Sequence, residues 1–380
     1  MQLHPEVAAM ARDCAQIRQS LHRIPESGFE EYKTSAYILD FLKRYPPDSV
    51  HTLSETGIKA TYYTPGATET IAFRADMDSL SIRERNDVPY KSEHAGRMHA
   101  CGHDGHMTML LLFARLLSQN RDKLGVNVVL LFQPAEEGKC GASRMVQDGA
   151  LTDPDVGKIY GIHLWPDIPR GKIGVRWGPM MAKACEFDIT AHGLSSHGAS
   201  PQMGVDAIVA AATLITMLQT ALTRNIDPLS GALLTIGKID GGVTRNIIAD
   251  EVVMNATLRV FSEDVYIQLM RRIRAMASGV AEATSADFEI KELQHYPCVD
   301  NPRELVEDFY RYVDMDDLVI ADPVLIAEDF SCYQQEIPGL FLFLGVGGGK
   351  NKVPLHNPLF DFDEDALLVG VELYRRLAGL

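Results

Sequence analysis

Several things are scarce in this sequence, and each scarcity narrows what it can be. Only six cysteines, Cys14, Cys101, Cys140, Cys185, Cys298 and Cys332, are scattered over 380 residues, with no CxxC pair. This excludes a small-domain disulfide framework and predicts a reduced, cytoplasmic setting. Positive charge is also in short supply: 36 Lys and Arg stand against 51 Asp and Glu, for a formal net charge of -15. Such a field repels phosphates, and no local basic patch offsets it, so neither nucleic acid nor a membrane is an expected partner. The first nineteen residues carry Glu6 and Asp13 and no unbroken apolar run. They are expected to form an amphipathic helix, neither a secretory signal nor a membrane span. Long linkers, internal repeats and low-complexity tracts are missing as well.

What is present is an ordinary globular composition, 46% hydrophobic and 23% charged. A single hydrophobic core seldom grows past roughly 250–300 residues, so two domains are expected. Helical spacing runs through 5–21 and 30–44, and short apolar segments follow at 58–63 and 70–76. A helix-like run at 104–117 precedes the continuous apolar strand 126–132, and the helix-like 141–149 precedes a strand at 158–165. Buried strands alternating with helices predict an α/β domain with helices on both sheet faces.

Between about Ala182 and Pro297 the rhythm changes. "KACEFDITAHG" alternates as a half-exposed strand, and "GVDAIVAAATLITMLQTAL" is helical. "GALLTIGKIDGG" and "IADEVVMNATLRVF" read as strands with a Gly-Gly turn between them. A helix capped by Ser262 and the closing strand "DFEIKELQHYP" complete a β-α-β-β-α-β, ferredoxin-like order. Its open sheet edges make it a candidate for pairing with a second copy. A helix near 302–313, a strand at 339–349 and a helix near 364–378 then restore the α/β rhythm. The expected organisation is one discontinuous α/β domain, 1–181 with 298–380, interrupted by an inserted domain, 182–297.

Four stretches could carry chemistry. In "HACGHDGHM", Cys101 and His103 flank Gly102, which allows a turn tight enough for both to face one ion. A buried cysteine beside solvent-facing histidines is the competing reading, and redox chemistry lacks a nearby resolving cysteine. "FQPAEEG" places Glu136 and Glu137 where an apolar strand ends. Side chains of neighbouring residues on an extended segment diverge, so one carboxylate can bind metal while the other stays free. His163 in "YGIHLWP" and His356 in "VPLHNP" would be unremarkable singly. Each of the four falls just beyond a predicted strand of one domain, the edge where open α/β sheets bind ligands. Nitrogen, oxygen and thiolate donors suit zinc, manganese or a similar ion, and five ligands exceed the need of one tetrahedral ion, so two metals are expected.

The stretches "LHRIPESGFEEYKTS", "RADMDSL", "HACGHDGHM", "FQPAEEG", "GIHLWP", "HGASP", "RNIIAD" and "PLHNP" resemble, in order, those of the M20 metallopeptidase superfamily, most closely its subfamily D. That branch comprises N-acyl-amino-acid amidohydrolases, among them hippurate hydrolases and auxin-conjugate hydrolases. The resemblance implies an α/β/α catalytic domain with a lid and dimerisation domain, and two divalent ions, Mn2+ or Zn2+ with Ni2+ or Co2+ tolerated. It implies that Cys101, His103, Glu137, His163 and His356 hold them, with Glu136 as general base. Asp76 and Asp78 then orient the site and are not ligands, and Glu328 is a further supporting group. His197 would stabilise the oxyanion, reaching a neighbouring subunit's site, while Asn246 and Arg259 would hold substrate. The implied reaction is hydrolysis of an N-acyl amino acid by a homodimer. A dipeptidase or aminopeptidase, or a non-catalytic metal-binding protein of the same fold, are the alternatives. Ser81, Ser195, Ser196 and Ala249 depart from the usual pattern, and none stands at an implied ligand position.

Overall fold

The computed structural model describes residues 1–348 and 353–380. The chain divides into two compact units. One comprises Met1–Gly178, Asp300–Asp322 and Asp329–Leu380, and the other Pro179–Val299 and Pro323–Glu328. In chain order the strands are β1 (Ser49–Leu53), β2 (Gly57–Tyr62), β3 (Thr70–Asp76), β4 (Asn127–Gln133), β5 (Lys158–Pro169), β6 (Ile173–Val175) and β7 (Gly178–Met181). They continue with β8 (Lys183–His192), β9 (Ala232–Gly241), β10 (Glu251–Val260), β11 (Asp287–Tyr296), β12 (Val299–Asn301), β13 (Leu318–Ile320) and β14 (Gly339–Gly347). β7 and β12 pair as a small two-stranded sheet.

The first unit is a mixed α/β fold on an eight-stranded sheet, ordered β1-β2-β4-β3-β5-β14-β6-β13. Its centre, β4, β3, β5 and β14, is parallel, so the carboxyl ends of these strands share one edge. These strands lack alternation because both of their faces are buried. The helix His103–Gln119 is apolar nearly all round for the same reason, and it packs with Leu367–Leu377 and Ala11–His22 in one core. Phe73 of β3 meets Phe113 and Tyr374 of two of these helices edge-on, with ring centroids 4.9 and 5.0 Å apart.

The second unit is a four-stranded antiparallel sheet, ordered β11-β8-β10-β9, with the helices Ala207–Asn225 and Glu263–Thr284 sharing its core. This is the ferredoxin-like order, and inward side chains alternate along β8 and β10 as the sequence suggests. Helix 207–225 starts at Asp206, whose carboxylate accepts hydrogen bonds from the N–H groups of Ile208 and Val209. That helix is long and apolar enough to cross a membrane by length and composition alone. Ala207, Ala210, Ala211, Leu214, Leu218 and Ala221 are buried against the sheet, which accounts for much of that composition.

Local details differ from the sequence reading. The helix expected over 5–21 is two helices, Pro5–Ala8 and Ala11–His22, because the chain turns where Met10 enters the core. A longer loop, residues 242–250, connects β9 to β10 in place of a Gly-Gly turn. Ser262 occupies the N-cap position without a capping hydrogen bond, and Glu263 and Asp264 supply the favourable charge there instead. The strand expected at 339–349 is observed to Gly347, and position 349 lies outside the described residues.

Candidate metal centre

The "GHDG" spacing is explained by how closely the helix His103–Gln119 approaches β5. Gly102 has φ +88°, and a Cβ there would lie 3.0 Å from Leu164 Cδ1. A Cβ on Gly105 would lie 2.8 Å from the same atom and 2.9 Å from Phe362 Cζ. Two glycines therefore let the helix start press onto Leu164 and bring Cys101 and His103 beside His163.

His163 lies inside β5, which continues to Pro169, not near a strand end at 165 as expected. It is reachable because the pairing of β5 with β3 stops at Gly161, leaving His163 past that ladder. His356 sits in a loop with φ +61°, its N–H donating to the Ala100 carbonyl at 2.8 Å, so it is pinned next to Cys101. Glu136 and Glu137 are not on an extended segment but on a tight turn, Glu136–Lys139, entered through Ala135 at φ +58°.

These segments converge. Cys101 Sγ is 3.5 Å from His163 Nε2 and 3.3 Å from His356 Nε2, which is in turn 3.3 Å from Glu137 Oε1. Two groups of donor atoms, each within 4.8 Å, share the thiol: Cys101, His103 and His163, and Cys101, Glu137 and His356. His103 also groups with Glu136 and Glu137. The tautomers follow from the partners. His103 Nδ1 donates to the Asp78 carbonyl at 2.9 Å, and His163 Nδ1 to the Leu164 carbonyl at 2.8 Å, so in the neutral ring each Nε2 carries the lone pair. Among the described residues the buried His103 Nε2 has no hydrogen-bond partner. A buried ring nitrogen without a partner, amid sulfur, imidazole and carboxylate donors, is what a divalent cation of intermediate softness satisfies when it displaces the ring proton.

A second set of residues holds the first. The Asp78 carboxylate accepts the N–H groups of Glu136 and Glu137, both at 3.0 Å, and so clamps the glutamate turn. Asp76 Oδ1 accepts from His106 Nδ1 at 2.6 Å, and His106 Nε2 accepts the Leu164 N–H at 2.9 Å. Arg74 donates to Asp76 Oδ2 at 2.7 Å and to Asp329 Oδ1 at 2.9 Å. Gln133 and the Ala142 N–H also donate to Asp329. Burial alone would drive the His103 pKa down, but Asp76 and Asp78 raise it to about 10. His163, by contrast, is held neutral because burial depresses its pKa well below the ordinary value.

Two supports, Asp329 and Glu31, were not legible in the sequence. Glu31 Oε1 accepts the Ala135 N–H at 2.9 Å and Oε2 accepts the Thr56 hydroxyl at 2.5 Å, which holds the left-handed turn before Glu136. It lies within the "FEEY" stretch, and its burial could not be read from composition. Glu328 is buried in the segment Pro323–Glu328 of the second unit, next to Asp329.

His197, Asn246 and Arg259 also belong to the second unit. His197 pairs with Ile247 in an isolated bridge, and the Gly198 N–H donates to the Asn246 carbonyl at 2.8 Å, so the first two are neighbours. Arg259 stands on β10 opposite Ala184 and Leu233, on the sheet face away from the helices.

A donor cluster at the carboxyl edge of a parallel sheet centre, with a four-stranded second unit inserted in the chain, is the architecture of a peptidase-type hydrolase. The chain belongs to peptidase family M20/M25/M40, whose model matches residues 72–379. It is an enzyme that hydrolyses amide bonds. It is 38% identical over 354 residues to N-acetyl-L-cysteine deacetylase of Bacillus subtilis (strain 168), covering 93% of this chain and 84% of the relative. N-acetyldiaminopimelate deacetylase of Exiguobacterium sibiricum is 37% identical over 356 residues, covering 93% and 95%. The structure of the Bacillus subtilis YXEP protein, described as a dinuclear metal-binding peptidase of family M20, superposes with a TM-score of 0.85. It is 31% identical and covers 98% of this chain and 99% of its own.

Proposed function

We propose that this enzyme removes the acyl group from N-acyl amino acids, with small acyl groups such as acetyl as its preferred class. The observation that carries the reading is the placement of Glu136 beside Glu137 on a turn clamped by Asp78, against the donors of Cys101, His103, His163 and His356. The relatives named for deacetylation of N-acetylated amino acids support the acyl preference.

In this reading Cys101, His103, Glu137, His163 and His356 hold two divalent ions, Mn2+ or Zn2+, with Cys101 common to both donor groups. Bound there, the ions supply Lewis acidity that polarises the acyl carbonyl and lowers the pKa of a water molecule. Glu136 takes the proton of the attacking water and returns it to the departing amine. His197 donates a hydrogen bond to the developing oxyanion, and Arg259 and Asn246 bind the carboxylate of the amino-acid half. Asp76, Asp78 and Glu328 act by orientation alone.

Replacing Glu136 by Gln is expected to abolish turnover with metal content unchanged, and substantial residual activity would remove it as the base. Cys101→Ala is expected to lower metal occupancy, and unchanged occupancy would exclude the thiolate. A screen of N-acetyl, N-benzoyl and indole-acetyl amino acids against free dipeptides, with each metal, decides between deacylase and peptidase. Best turnover of the free dipeptides would overturn the proposal.

A cytoplasmic homodimer joined through the second unit belongs to the same proposal. β9 is an edge strand with Leu233 and Ile239 exposed, and Ile208, Val209 and Met217 are exposed on the neighbouring helix. Such apolar surface beside an open edge suits a second copy. A Val209→Asp variant should sediment as a monomer.

A further inference from the structure

A second group of potential ligands lies in the inserted unit, on the edge strand β11 and its neighbour β8. Along β11, Phe288, Ile290 and Glu292 turn toward the helices, as strand alternation requires. Continued alternation would point the next inward side chain from Gln294. The register with β8 slips between Glu292 and Gln294, however, so Leu293 is an extra residue. This β-bulge brings His295 opposite Cys185, whose side chain is in the helix-side core, and puts Glu292 and His295 on the same face.

The resulting cluster is compact. His295 Nε2 is 3.3 Å from Glu292 Oε2, which accepts the Tyr266 hydroxyl at 2.6 Å. That hydroxyl is 3.7 Å from Cys185 Sγ, and one donor atom each from Cys185, Glu292 and His295 lies within 4.8 Å of the others. Cys185 is fully buried, while His295 is 37% exposed at the rim, which leaves an ion a way in from solvent. One thiol, one carboxylate and one imidazole are the donor types of tetrahedral zinc sites, where three protein ligands leave a fourth position open.

We infer that Cys185, Glu292 and His295 bind a single zinc-like divalent cation, which ties the edge strand β11 to β8. On binding, the Cys185 thiol releases its proton to solvent and its sulfur becomes a thiolate ligand. The Tyr266 hydroxyl or a water fills the fourth position. Arg274, paired with Glu292 Oε1, competes with the ion for the carboxylate. The bulge has a specific consequence here: without it His295 would face away from Cys185 and only two ligands would remain.

The test counts metal on the full-length protein after zinc loading and desalting, in wild type, Cys185→Ser and His295→Gln. One zinc fewer per chain in each variant, with deacylation unchanged, is the expected result, and equal counts in all three overturn the inference. His295 is at a partly exposed edge, so its variant keeps the test decisive if Cys185→Ser folds poorly. In a Cys101→Ala background, cobalt loading should still give a thiolate-to-cobalt charge-transfer band that Cys185→Ser removes. Absence of that band before the second substitution overturns the inference. Arg274→Ala should tighten zinc binding several-fold at this site.

Discussion

His22 offers the sharpest quantitative test of the buried charge network behind the candidate centre. It lies in the helix Ala11–His22, 1% exposed, with Nδ1 2.7 Å from Asp104 Oδ2 and Nε2 3.2 Å from Glu84 Oε1. Arg18 Nε donates to the same Asp104 oxygen at 2.8 Å, so Asp104, next to His103, is fixed by two cationic groups. Burial alone would depress the His22 pKa, but the Asp104 carboxylate and the hydrogen bonds to Asp104 and Glu84 raise it from 6.5 to about 9. A group whose folded pKa is raised stabilises fully below its unfolded value and loses that contribution as pH climbs through the folded one. The window is therefore pH 6.5 to 9, and the shift corresponds to about 3 kcal/mol. Urea unfolding of wild type and His22→Gln, both in chelator so that ion release does not contribute, measures it. The stability difference between the two proteins should shrink by about that amount from pH 6 to pH 9.5. A difference that stays constant over that range would refute a protonated, carboxylate-paired His22.

Glu31 should behave in a related way. Burial pushes its pKa up to about 7 from 4.5, so its contribution to stability is complete below pH 4.5 and fades as pH rises through 7. Glu31→Gln should flatten that slope in the same unfolding series. Asp78→Asn leaves one oxygen to accept two N–H groups, and should lower turnover or metal affinity by about 10–100-fold, read by kinetics and metal titration. Gly105→Ala forces a methyl against Leu164 and Phe362 and should cost about 1–3 kcal/mol, seen as a lowered Tm. An unchanged Tm would mean that the helix start can lift off β5 freely.

Much of the fold was legible because it rests on periodicity. Continuous apolar runs marked the buried strands β4 and β14, and period-two alternation marked β8 and β10. The short strands β1, β6 and β13 escaped because three to five residues carry too little pattern to stand out. The break at Met10 escaped because both halves of the N-terminal run have helical spacing.

The sequence by itself determined which chemistry is on offer. Its local glycine, histidine, cysteine and glutamate spacings name the donors, since ligand type is a property of the residue and tight turns are a property of glycine. Tertiary structure alone decided which donors meet. Cys101 and His356 are 255 residues apart in sequence yet 3.3 Å apart in space, through a loop pinned to the Ala100 carbonyl. Tertiary structure also chose Asp329 and Glu31 as supports and re-aimed His295 through one extra residue in a strand. Hydrogen bonds and burial between distant segments leave no periodic trace along the chain, so these choices exist only once the chain has folded.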